Sequence, residues 1–334
     1  MGGKTLFKLL LLLVAAIAFF SLWIWRYAST SGIRNAAVTV VIPSGAGFQS
    51  IERVLAEKGV IRPDLRFSIL ARLLGLTQRL QAGKYAFGPG ETPYDVLAAL
   101  EAGKVVQEPV TIPEGANIYQ VADILASGGW VSRERFLELI KDPSFIKELG
   151  LKEESLEGYL FPDTYCLRRG QNAEDIIRMM VSRLRDVFSE LGVDEKGKTG
   201  LSRHEILTLA SIVEKETAVP SERPLIAGVF MERLAKGMRL QSDPTVIYGI
   251  AGFDGNLTRH DLKTPSSYNT YLIKGLPPGP IANPGRAAID AVLHPAVGGY
   301  LYFVSKNDGT HFFSKSLGEH NRAVLRYQKQ KKRN

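Results

Sequence analysis

The chain has 334 residues, 45% of them hydrophobic and 23% charged, with a formal net charge of +8. This is globular composition with length for two or three domains, and its basic balance suits either a solvated surface or attraction to an anionic membrane or polymer. No stretch resembles a nucleic-acid module, a single cysteine excludes an intramolecular disulfide, and five scattered histidines lack ligand spacing, so neither nucleic acid, metal nor cofactor is expected.

The N-terminus carries "LLLLLVAAIAFFSLWIW", Leu9 to Trp25, without a charge. Seventeen helical residues reach about 25 Å, the low end of a membrane span. Lys4 and Lys8 precede it, which favours a cytoplasmic N-terminus. Trp23, Trp25 and Tyr27 suit the far interface, and the small-x-small pattern of a cleaved signal peptide is poor. Residues 1–8 therefore read as a cytoplasmic tail, 9–27 as a single-pass transmembrane anchor and 28–38 as a polar tether, with the bulk of the chain outside the inner membrane.

A repeat follows. "VVIPSGAGFQSIERVLAEKGVI" starts at Val40 and "VTIPEGANIYQVADILASGGWV" at Val110, seventy residues later. Val40, Ile42, Pro43, Gly45, Ala46, Leu55, Ala56 and Gly59 recur identically in the second copy. Each copy reads as a short strand, a Pro-x-Gly turn and an amphipathic helix ending at glycine. Between them lie a strand around Tyr85 and a helix over Pro93–Ala102, with Thr92 as N-cap and Pro93 at the first helical position. Residues 39–108 thus form a small α+β module, either a spacer or a carbohydrate-binding unit.

The remainder, 109–330, reads as a larger mixed domain. A helical region spans Ser132–Leu151, and "LEGYLFPDTYCLRRG" follows, where Gly158 and Pro162 indicate a structural turn and Cys166 a half-buried structural thiol. Helices are predicted near 173–192, 202–217, 222–236 and 286–293, strands at "YLYFVS" and His311–Ser314, and a last helix beyond. Strands and helices mix without βαβ alternation, so the fold class is α+β.

The helix that starts at the capping box Ser202–Glu205 ends in "LASIVEKET". Its apolar residues cover more than half the circumference, so it is substantially buried, with Thr208 and Lys215 on the other side. Glu214 and Glu216 flank the apolar arc about 200° apart, too far round the helix to form an acid–base pair. Either has the desolvation needed to hold a proton near neutrality, and periodicity does not choose between them. The irregular loops "GMRLQSDPTVIYG" and "TPSSYNTYLIKGLPPGPIANPG" combine hydrogen-bonding side chains with tyrosines, which suits a groove for a polar, ring-containing polymer.

"LASIVEKET", "RLQSDPTVIYG", "YNTYLIKGLPPGPIANPG" and "HPAVGGYLYFVS", in this order, closely resemble the YceG-like family of endolytic murein transglycosylases. The resemblance covers about 115–330 and also fits the anchor and the preceding module, which in the family is LysM-like. It implies a lyase acting on peptidoglycan: cleavage of the MurNAc-β-1,4-GlcNAc bond within nascent glycan strands, leaving 1,6-anhydroMurNAc ends. Lytic transglycosylases generally place the catalytic Glu before a small hydroxyl residue, which here selects Glu216, before Thr217, as the single general acid/base. Gln241, Ser242, Asp243, Tyr248, Tyr268 and Asn269 are the candidate substrate-binding residues, with Glu157, Tyr159 and Asp163 as weaker ones. Partnership with glycan polymerases and penicillin-binding proteins is implied by family and place. Two rival readings are a hydrolase (muramidase) in which Asp243 or another carboxylate activates water and a non-enzymatic glycan-binding scaffold of the wall-synthesis machinery.

Overall fold

The computed structural model describes residues 2–31, 36–43, 45–193 and 199–329. Part of the expected tether, residues 32–35, and the basic end at 330–334 lie outside the described residues. The chain divides into two compact units, Met1–Glu108 with Cys166–Gly170, and Pro109–Tyr165 with Gln171–Asn334. The architecture is mixed α+β, and its described strands form three two-stranded sheets.

In the first unit, α1 (Gly2–Ser29) contains one stretch, Thr5–Ser29, that is long and apolar enough to cross a membrane. The helix runs beyond the expected end at Tyr27, so the tether is shorter than expected before β1 (Val38–Ile42) begins. Ile24 and Tyr27 at its C-terminal end are buried in the core of this unit. β1 pairs antiparallel with β2 (Gly83–Phe87), in register from Val38 opposite Phe87 to Ile42 opposite Gly83. Their period of two turns Val40, Ile42, Tyr85 and Phe87 inward. Against that face pack α2 (Phe48–Glu57), α3 (Arg66–Leu73) and α4 (Pro93–Glu101). The sequence reading missed α3, whose two turns bury Phe67, Leu70 and Ala71. α4 starts as expected, with Thr92 and Asp95 completing a reciprocal capping box and Pro93 at the first position.

The second copy of the repeat consists of β3 (Gln107–Thr111) and α5 (Ile118–Ser127). Both copies use left-handed glycines at the same two places: Gly45 and Gly115 at the turn (φ 76° and 73°), Gly59 and Gly129 after the helix (φ 67° and 68°). The expected helical region at 132–151 is split into α6 (Arg133–Leu139) and α7 (Pro143–Glu148), because Asp142 caps a new start and Pro143 cannot continue the old one. The segment after it forms β4 (Thr164–Arg168), paired with β3. β4 turns Tyr165 and Leu167 inward and Cys166 outward, so the thiol is exposed rather than half-buried.

α8 (Ala173–Glu190), α9 (Arg203–Glu216), α10 (Arg223–Ala235), α11 (Asp243–Tyr248) and α12 (Arg286–Leu293) build the larger core. α11 falls in a segment expected to be irregular. β5 (Tyr302–Ser305) and β6 (His311–Ser314) form an antiparallel hairpin before α13 (Leu317–Val324).

α9 is the central element, packed on α10, α11 and α12 and buried without a break from Ile206 to Val213. Thr208 is therefore inside, contrary to expectation. Its hydroxyl donates to the His204 carbonyl at 2.8 Å, and the Ser211 hydroxyl donates to the Thr208 carbonyl at 2.7 Å. Each turn thus consumes the polar atoms that burial would otherwise leave unpaired.

α10 presses its Gly228 against the backbone after α12, where an added Cβ would overlap the Ala296 carbonyl oxygen. A Gly-to-Ala change inside a helix ordinarily stabilises by up to about 1 kcal/mol. Gly228→Ala is expected to reverse that sign and destabilise by about 1–3 kcal/mol, read as a lowered denaturant midpoint.

Candidate active site

α9 begins at the capping box of Ser202 and Glu205 and stops at Glu216, because Thr217 is fully extended (φ −147°, ψ 138°). The buried Thr217 hydroxyl accepts from the Val219 amide at 3.0 Å and donates to Glu222 at 3.3 Å. Glu222 in turn accepts from the backbone amide and Nδ1 of His311, both at 2.7 Å. Burial pushes the Glu222 carboxyl up, but the His311 hydrogen bonds outweigh it and hold the group below the usual carboxylate range. This chain of contacts ties the end of α9 to β6.

Glu216 stands at that end. Part of its surface reaches solvent, yet the carboxylate lies deep in the protein mass. Desolvation pushes its pKa up to about 7, with Asp243 adding to the rise. The Ser242 hydroxyl and the positive charges of His311 and Arg233 act in the opposite sense. Ser242 is buried and donates to Glu216 Oε1 at 2.5 Å, while its own amide is held by Thr270 Oγ1 at 3.0 Å. Arg233 is itself buried and spends its guanidinium on the carbonyls of Leu301 (2.7 Å) and Leu240 (2.6 Å). The closest hydrogen-bond donor to Glu216 is therefore a neutral hydroxyl, an environment that does not require ionisation.

Glu214 is treated differently. It accepts from Arg223 at 3.1 Å and from the Gly285 amide at 3.0 Å, and the two bonds hold its side chain in place. A cleft of about 440 Å³ is bordered by Glu114, Glu214, Lys215, Glu216 and Arg223. The 200° separation on the helix gives the two glutamates different partners, but because α9 ends here the cleft wraps round its tip and touches both. The opposite wall is the turn of the second repeat copy. It is tied down by Gly115 N donating to Asn283 O and Asn283 N donating to Ala116 O, both at 2.9 Å, and by Lys215 Nζ donating to Gly115 O at 3.2 Å.

The loop candidates separate into groups. Asp243, exposed at the start of α11, accepts from Tyr271 Oη at 2.6 Å and lies close enough to Glu216 to raise its pKa. Gln241 is exposed and left-handed (φ 51°), an uncommon conformation for a residue with a side chain. Tyr248, at the far end of α11, packs on Tyr268 with ring centroids 4.9 Å apart and donates to Glu157 at 3.1 Å. Asn269 faces no groove: it is wholly buried, its amide donates to the carbonyls of Asp261, Leu262 and Thr264, and its oxygen accepts from the Tyr271 amide. It organises the loop, and Ser242 likewise serves Glu216 rather than an open surface.

Of the weaker candidates, Glu157 is buried, accepts from the Ile118 amide at 3.2 Å and is pushed by desolvation to about 7. Tyr159 Oη lies 2.9 Å from His204 Nδ1, whose other ring nitrogen lies 2.8 Å from the Pro278 carbonyl. Asp163 is paired with Arg183 at 2.8 Å, which holds its carboxyl below the ordinary value.

Sequence reasoning missed Glu114, Arg223 and Tyr271. Glu114 carried a signal: at the same turn of the first repeat copy the chain has Ser44, so one copy gained a charge at an otherwise matched position. Among the described residues no group of three or more His, Cys, Asp or Glu could hold a metal ion.

Comparison with known proteins adds an independent line. A sequence profile of the YceG-like family matches residues 40–326. The endolytic murein transglycosylase of Bacillus subtilis (strain 168) is 34% identical over 306 residues, 87% of this chain and 84% of that protein. The protein of the same name in Streptococcus pneumoniae serotype 2 is 33% identical over 322 residues, 87% of this chain and 58% of that protein. The 2.6 Å crystal structure of a YceG-like protein from Listeria monocytogenes superposes with a TM-score of 0.59 at 36% identity, covering 86% of this chain and 98% of that one.

Two expectations follow from the electrostatics. Removing the Ser242 hydroxyl takes away a donor that favours the charged form, so Ser242→Ala is expected to raise the Glu216 pKa above about 7, read by carboxyl carbon NMR titration. Glu216 also keeps its proton to about 7 when folded but ionises near 4.5 when unfolded, so the folded state binds the extra proton between those values. Stability should therefore fall as pH rises from about 4.5 to about 7, less steeply in Glu216→Gln, as measured by denaturant unfolding across that range.

Proposed function

The chain belongs to the YceG-like family, and on that premise we propose that it is a membrane-anchored lytic transglycosylase of peptidoglycan. It cuts the MurNAc-β-1,4-GlcNAc bond inside nascent glycan strands and leaves 1,6-anhydroMurNAc ends. The observation that carries this reading is Glu216: a carboxyl with its pKa pushed to about 7, at an open cleft, with a neutral hydroxyl as its direct donor.

A group of that kind is protonated for an appreciable fraction of the time at neutral pH, as a general acid must be. Glu216 protonates the glycosidic oxygen as the bond to C1 breaks. The C6 hydroxyl of the same muramic acid attacks C1, and the carboxylate takes the hydroxyl proton back. The substrate supplies its own nucleophile, so the second carboxylate of ordinary glycosidases is not required. Asp243, beside Glu216, offsets the positive charge that develops at C1. Gln241, Tyr248 and Tyr268 contact the sugar chain, while Ser242 and Asn269 act by positioning. Holding O6 near C1 is the orientation task of the surrounding loops.

α1 anchors the chain with its N-terminus in the cytoplasm, so the catalytic domain works close to the bacterial inner membrane on newly made strands. Residues 39–108 form a LysM-like module and 109–330 the catalytic domain in this reading. Glycan polymerases and penicillin-binding proteins are the partners that such a location brings near.

A second reading has one observation in its favour. The closeness of Asp243 to Glu216 would also suit a hydrolase in which Asp243 activates water. Product ends separate the two: anhydro ends belong to the transglycosylase, reducing ends to the hydrolase.

Glu216→Gln keeps the shape and removes the acid. It is expected to lower glycan cleavage by about 10²–10⁴-fold, measured by mass spectrometry of digested peptidoglycan. Cutting at the wild-type rate would remove Glu216 from its role, and full complementation in cells without any cutting would favour a scaffold. For the wild type, kcat/KM is expected to decline above about pH 7 as Glu216 loses its proton.

A further inference from the structure

The first unit contains a cavity that the proposed reaction does not use. It encloses about 410 Å³ where the C-terminal end of α1 meets the segment between α2 and α3. Arg26, Arg62 and Arg66 all line it, with Trp23, Tyr27 and Thr30. Three guanidiniums around one small cavity repel one another and need an anion to offset them.

The neighbouring carboxylates supply only part of that charge. Asp64 accepts from Arg66 twice, at 3.0 Å and 2.5 Å, and Glu52 accepts from the Ser68 hydroxyl at 2.7 Å. Arg66 is further fixed above the Tyr27 ring, 4.6 Å from its centroid. Among the described residues neither Arg26 nor Arg62 forms a close ion pair with a carboxylate, and Arg62 acts on Asp64 only through space.

Tyr27 provides the independent sign of a missing ligand. The residue is only 6% exposed, and its hydroxyl is buried without a hydrogen-bond partner. Buried hydroxyls are ordinarily satisfied, and leaving one bare costs about 1–3 kcal/mol. Tyr27 is among the residues that line the cavity, so a ligand seated there and a small shift of the ring would bring an acceptor to the hydroxyl.

The position along the chain identifies the source of that acceptor. The uncharged run of α1 ends at Trp25, and Arg26 and Tyr27 follow immediately, at the level where lipid headgroups lie. Leu22 is 60% exposed and Trp23 40%, leaving an apolar flank beside the cavity for acyl chains.

We propose that this cavity binds the phosphate of an anionic lipid headgroup, with Arg26, Arg62 and the Tyr27 hydroxyl as donors. The proposal rests on the reading of α1 as a membrane anchor. The shared chemistry is a lipid phosphate, which a phospholipid phosphodiester or a prenyl diphosphate can supply. Its effect would be to brace the module against the membrane surface through the lipid as well as through the helix.

The full chain is purified in detergent and offered phosphatidylglycerol or phosphatidylcholine with the same acyl chains, and retained lipid is counted by native mass spectrometry. Selective retention of phosphatidylglycerol is expected, reduced about fivefold by either Arg26→Gln or Arg62→Gln, the effect of losing one cation at an anionic surface. Tyr27→Phe should also reduce retention. If its hydroxyl merely lacks a partner, that variant will retain lipid like the wild type and overturn the proposal. Equal retention of the two lipids, or competition by inorganic phosphate at the same concentration as the lipid, would also overturn it. Stronger retention of a prenyl diphosphate would support the site and identify its source. Flotation with vesicles tests the anchor separately: a chain that does not float defeats the anchor reading, whereas one that floats without lipid preference defeats only this site.

Discussion

The burial of α9 on every side, up to its last turn, is the constraint on which the larger unit depends. A helix enclosed by α10, α11 and α12 cannot shift without disturbing three interfaces, so its final residue is held in place by the whole core. That final residue is an acid. The C-terminal end of a helix carries partial negative charge, and an ionised glutamate there is disfavoured even before burial adds its penalty. Glu216 is thus retained where two independent effects oppose its ionisation, and among the described residues its side-chain donor is the Ser242 hydroxyl.

The contrast with Glu214 shows how finely the surroundings discriminate. Two residues earlier on the same helix, an equally enclosed carboxylate has a guanidinium and a backbone amide as donors. At Glu216 a single neutral hydroxyl offsets desolvation only in part. Glu157 shows a third arrangement, in which a buried carboxylate held by a backbone amide and a tyrosine is raised to about 7 without bordering the cleft around Glu216. Perturbed acidity alone therefore does not mark chemistry. Access to an open cleft separates Glu216 from Glu157, and the absence of a direct cationic donor separates it from Glu214.

The repeat shows one local structure turned to two purposes. Both copies form strand, left-handed glycine turn and helix, because the glycines, the proline and the apolar positions recur. In the first copy the strand pairs with β2 and closes the core of a small unit. In the second the turn is clamped by Asn283 and Lys215 and becomes one wall of the cleft, with Glu114 pointing a charge at Arg223 at 3.6 Å. Local propensity sets the shape of such a unit, while its neighbours decide what the shape is for.

Short-range patterns were therefore legible in the sequence. Capping boxes, proline starts, alternation in β1 and β2, the helical period of α9 and the apolar run of α1 all act within a few residues, and their physics is written where they occur. The narrowing to one glutamate of two came from family resemblance, since periodicity gave both the same apolar flank. Tertiary structure alone decided which polar residues are spent on folding. Asn269 looks like a sugar ligand in sequence but is consumed by three loop carbonyls, and Thr208 looks solvent-facing but bonds back to its own helix. Glu114, Arg223 and Tyr271 escaped notice because their partners lie elsewhere along the chain: Arg223 for Glu114, Glu214 for Arg223 and Asp243 for Tyr271. Electrostatics acts through space, and a sequence orders residues only along the chain. The cleft, the raised pKa of Glu216 and the unpaired hydroxyl of Tyr27 exist only once the chain has folded, because each is a property of what surrounds a residue rather than of the residue itself.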